Sequence, residues 1–117
     1  MMNFLEELNT LGVHTEEAVQ RMNGNISLYE RMLVKFAAMI DSSIVKPDFD
    51  CHNYADIIEA AHAIKGASGN LSVTPVYEAY TEIVRLLRAE QPEQAKEVLE
   101  RIMPIQTEIV NCIKKYS

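Results

Sequence analysis

The chain is short of the residues that break helices, cross-link proteins or anchor them in membranes. Four glycines and four prolines are spread over 117 residues, and no run of strict apolar–polar alternation lies between them to suggest a strand. Cys51 and Cys112 stand without a CxxC spacing, so reduced thiols are expected rather than a disulfide. No apolar run approaches the ~20 residues of a membrane span. No basic stretch followed by an apolar one opens the chain as a secretory leader, and the expectation is a cytoplasmic protein with no membrane insertion. Positive charge is scarce too. Eleven Lys and Arg against seventeen Asp and Glu leave a net charge of −6, which speaks against nucleic-acid partners and offers no polybasic membrane patch. There is no G-x-S-x-G and no ATP-binding glycine loop, so neither a serine hydrolase nor a self-sufficient kinase is expected.

What remains is a helical protein. Apolar residues make up 48% and charged residues 24%, the balance of one globular domain over residues 1–117, large enough for a real core. Apolar positions recur at three and four. A first short helix is predicted over Asn3 to Thr10, then one in "HTEEAVQRM" with Thr15 as its N-cap and acids in its first turn. "NISLYERMLVKFAAMIDSS" predicts a long helix burying Ile26, Tyr29, Leu33, Phe36 and Ile40. A helix over 53–71 begins with Asn53 and Asp56 as a capping-box analogue. Two more open at Thr74-Pro75 and at Pro92, and Pro104 should kink or interrupt the last. The expected class is all-α, an up-and-down antiparallel four-helix bundle with one or two short N-terminal helices.

The 53–71 helix carries the chemistry. Unrolled at about 100° per residue, Ile57, Ala60, Ala61, Ile64, Ala67, Ser68 and Leu71 form a core stripe opposite His62. Beside His62 fall Ile58, Glu59, Lys65, Gly66 and Gly69. Two glycines in a helix cost roughly 1 kcal/mol each against alanine, and their angular position argues that they bare a surface rather than serve core packing. An exposed imidazole, with an ordinary pKa of about 6.5, is largely neutral and nucleophilic near neutral pH. Lys65, one turn on, could neutralise a negative group attached to it. These features suit a phosphoryl acceptor.

"HAIKGASGNLS" resembles the histidine phosphotransfer (HPt) domains of two-component phosphorelays, whose motif runs His-x-apolar-Lys-Gly-x-Ser/Ala-x-x-apolar-Gly. His62, Ile64, Lys65, Gly66, Ser68 and Leu71 fall on matching positions. "LGVHTEEAVQRMNGNISLYERMLVKF" is similar to the family's N-terminal pattern, and Tyr54 to the aromatic that often opens the phosphohistidine helix. The likeness covers about the first two-thirds of the chain. It implies a carrier without kinase activity of its own. His62, through Nε2, would take a phosphoryl group from a receiver aspartyl-phosphate and pass it to another response regulator. Lys65 would steady the phosphoryl oxygens, and Ser68 would pack beneath the helix. Ile58, Glu59, Gly66 and Gly69 would form the docking surface. Implied partners are receiver domains and a hybrid histidine kinase. No cofactor is implied beyond the Mg²⁺ of the receiver, and a monomer is expected. Ser72 departs from the motif, which closes on glycine.

Other readings compete. The same face could dock a signalling partner without any phosphotransfer. His52 and Asp56, at i and i+4, could begin a metal site, but no third ligand has comparable spacing. Glu59 is read mainly as a solvated acid, His14 as a capping-region or surface residue, and Met22, Met32, Met39 and Met103 as core or groove filler.

Overall fold

The computed structural model describes residues 2–117, and among them all regular structure is helical. Two short helices come first, α1 (Phe4–Thr10) and α2 (Thr15–Arg21). Four long ones follow: α3 (Ile26–Asp41), α4 (Ala55–Asn70), α5 (Thr74–Arg88) and α6 (Pro92–Tyr116). No described helix is long and apolar enough to cross a membrane.

The helix starts differ in how they satisfy their free N–H groups. Asn3 and Asn25 do so with their side chains, accepting from the N–H of Glu6 at 2.9 Å and of Leu28 at 3.0 Å. Thr15 is not the cap of α2. His14 holds that position, and Thr15 turns inward, where its hydroxyl donates to Asn9 Oδ1 at 2.9 Å. Nor does Asn53 start α4. The helix begins at Ala55 behind Tyr54, which makes no side-chain cap bond and whose ring meets Phe49 edge-on with centroids 6.4 Å apart. His52 therefore lies in the turn before α4, its N–H donating to Asp50 Oδ1 at 2.8 Å, and shares no helical face with Asp56. No three His, Cys, Asp or Glu side chains among the described residues converge to hold a metal ion. The cap of α5 is Val73 rather than Thr74, which moves the start by one residue and keeps Pro75 in the first turn.

The ends of α2, α4 and α5 share one device. The N–H groups of Gly24, Val73 and Gln91 reach back to the carbonyls of Val19, Ser68 and Leu86, each at 2.9 Å. This closure needs a left-handed residue just before the donor. Asn23 (φ 55°), Ser72 (φ 54°) and Glu90 (φ 59°) fill those places, none of them glycine.

Pro104 does not interrupt α6, which is continuous through it. Pro104 and Glu100 are both exposed, so the Glu100 carbonyl that loses its N–H partner faces water.

One core joins all six helices. Helix α5 packs extensively against α4 and α6, whereas α3 meets both more sparingly. Tyr29, Leu33, Ile64, Tyr80, Leu99 and Ile109 are fully buried. Ile26 is not part of this core. It shares the direction of the α3 stripe but occupies the free first turn, 47% exposed. The buried phenols are paired, Tyr29 donating to the Leu71 carbonyl and Tyr80 to Gln106 Oε1, each at 2.8 Å. Burial pushes the Tyr80 phenol up to about 12. Met22, Met32, Met39 and Met103 pack half-buried against the core. Cys51 and Cys112 are free thiols, and burial pushes Cys112 up to about 11.

Candidate functional site

Helix α4 turns two faces to two environments. Ile57, Ala61, Ile64, Ser68 and, just past its end, Leu71 are buried, with Ala60 and Ala67 half-buried beside them. Ser68 has no exposure. Its hydroxyl is satisfied within the helix, donating to the Ile64 carbonyl at 2.7 Å. His62 stands on the opposite side and is exposed, as are Glu59 and Gly66; Ile58 and Lys65 are half-buried. The imidazole and the Lys65 ammonium thus share a face one turn apart.

The two glycines of that face are unlike. A Cβ placed on Gly66 would meet nothing within 4 Å, so this backbone is bare. A Cβ on Gly69 would stand 2.9 Å from Cδ1 and Cε1 of Tyr77. The expectation that both glycines keep the surface open therefore fails at Gly69, where the missing side chain seats an aromatic ring from α5. The angular position was right, but Tyr77 is long enough to lap from the first turn of α5 over the outward face of α4.

Beyond Gly69, the end of α4 is held by residues of α2. Arg21 donates through Nη2 to the carbonyls of Gly69 at 3.2 Å and Asn70 at 2.8 Å, and to Ser72 Oγ at 2.6 Å. Its cation thereby satisfies the Asn70 carbonyl and adds a second bond to that of Gly69, at the negative end of the helix dipole. Ser72 passes the bond on, its hydroxyl donating to Glu17 Oε1 at 2.7 Å, and Arg21 bridges to the same oxygen at 3.1 Å. The Ser72 hydroxyl and the Arg21 guanidinium hold the Glu17 carboxyl below its ordinary range. Next to them the His14 N–H donates to the Ser72 carbonyl at 2.9 Å, and its Nδ1 lies 2.8 Å from Thr74 Oγ1.

These elements enclose an open groove of about 650 Å³. His14, Glu17, His62, Lys65, Gly66 and Tyr77 are among the residues that line it. Comparison with family models, curated proteins and solved structures returned no match. The groove presents the exposed His62 imidazole, the Lys65 cation and the bare Gly66 backbone, and its lining also includes the Glu17 carboxylate.

Three residues of this region had no part in the sequence expectations: Arg21, Tyr77 and Thr74 in its contact with His14. Each acts across 48 residues or more, or from a neighbouring helix, beyond the reach of helical periodicity. Ser72 did carry a signal, since a motif that closes on glycine marks a left-handed position.

Proposed function

We propose that the protein is a phosphorelay carrier, an HPt-like four-helix bundle of α3 to α6 in up-and-down antiparallel order, phosphorylated on His62. The observation that carries this reading is the exposed His62 beside Lys65 and the bare Gly66 backbone, on the side of α4 away from the core. The Nε2 lone pair of a neutral His62 attacks the phosphorus of a receiver aspartyl-phosphate. The N–P bond forms, the acyl O–P bond breaks and the aspartate leaves as carboxylate; the Nδ1 proton stays on the ring or passes to solvent. In the onward step a second receiver's carboxylate attacks the phosphorus and the imidazole leaves. Lys65 offsets the charge of the phosphoryl oxygens, and the receiver brings its own Mg²⁺. Ile58, Glu59 and Gly66 form the surface on which the receiver sits.

Incubation with receiver domains charged on their aspartate should place an acid-labile phosphate on the protein, read by phosphate-affinity gel and mass spectrometry. His62→Gln should abolish it. Label that persists in His62→Gln would overturn the assignment. Normal receiver binding with no transfer by the native protein would favour a docking module instead.

A further inference from the structure

The Tyr77 ring, seated on Gly69, points to a docking footprint wider than the α4 face alone. We propose that Tyr77 is an anchor for the incoming receiver domain, and that the partner contacts α5 as well as α4; this rests on the relay function proposed above. Three observations support it. Tyr77 remains 38% exposed although its ring edge fills the place of a Cβ on Gly69. It lines the same groove as His62, Lys65 and Gly66, and its seat lies two turns, about 10 Å, along the helix from His62. A domain large enough to bring a phosphoaspartate to the imidazole covers about 800 Å², far more than that distance requires. The ring is held by the close approach of Gly69. Its ordering on binding therefore costs little entropy, which is what favours Tyr as an interface hot spot.

A phosphodonor with no protein surface separates docking from chemistry. Phosphoramidate transfers its phosphoryl group to an imidazole with release of ammonia and needs no footprint. Receiver domains from the same genome, each charged with acetyl phosphate, supply the protein donor, and the fastest is used. For Tyr77→Ala we expect KM for the charged receiver to rise at least fivefold with kcat within twofold, and the rate with phosphoramidate to stay unchanged. Tyr77→Phe, which keeps the ring, should bring KM back to within twofold of native. An unchanged KM in Tyr77→Ala would overturn the anchor, and so would a Phe variant as impaired as Ala. Equal loss with both donors would place the damage at His62 rather than at docking and would also overturn it. Failure of the native protein to accept phosphate from any charged receiver would sink the relay function, and the anchor with it.

Discussion

Gly66 and Gly69 lie one turn apart on the same side of α4, yet they mark opposite conditions. Around Gly66 the helix is bare, and nothing stands within 4 Å of a Cβ placed there. Around Gly69 it is crowded: Tyr77 covers the backbone, Arg21 takes the last carbonyls, and Ser72 turns the chain. The helix is pinned at its C-terminal end and bare one turn before it. The lesson is that a glycine in a helix has no single meaning. At Gly66 the missing side chain serves whatever arrives from outside. At Gly69 it serves a neighbour already present.

The largest test of this contrast is Gly69→Val. Its branched side chain must displace the Tyr77 ring, and overpacking of this kind costs about 1–3 kcal/mol. Thermal unfolding should fall by at least about 4 °C. A Gly69→Val protein with native stability would show that the ring yields freely and would remove the contrast. Gly66→Ala should act in the opposite direction, gaining up to about 1 kcal/mol because it restores helix propensity with no collision. A melting point unchanged or lowered in Gly66→Ala would reveal an obstruction that the bare surface does not show.

The smallest effect concerns the pinned end. Glu17 is held below its ordinary value of 4.5 by its bonds to Ser72 and Arg21. A lowered native pKa adds stability above about 4.5 that fades as the pH drops through the native value. The native protein should therefore melt slightly above Glu17→Gln at pH 7, and the gap should close in acid below 4.5. A gap that is constant with pH would detach Glu17 from the pinning.

Much of this could be read in advance. The core stripe of α4 and the outward placing of His62 follow from a period of 3.6 residues, because burial is decided by direction around the axis. Pro75 and Pro92 sit in first turns for reasons local to the chain. The misses have physical causes of another kind. Thr15 and Ile26 were assigned from their own helices, but Thr15 found a partner in Asn9 of α1, and Ile26 found no neighbour past the end of the core. Pro104 was expected to kink or interrupt α6, yet the helix is not interrupted, and the carbonyl that Pro104 orphans belongs to an exposed residue, Glu100. Tyr77 could not be placed by periodicity at all, since its reach depends on how closely α5 approaches α4.

Arg21 has a topological consequence. Its bonds to the carbonyls of residues 69 and 70 close a loop that takes in all of α3, the segment leading to α4 and nearly all of α4 itself. A disulfide would fasten such a ring permanently, but both thiols here are free. Loop closure on this scale grows only slowly more costly with length, by about 0.6 kcal/mol per doubling, so one guanidinium and one hydroxyl can share in holding it. A ring closed by hydrogen bonds is a clasp that can open and shut without any change of oxidation state. Ser72, bonded to both Arg21 and Glu17, is the catch of that clasp.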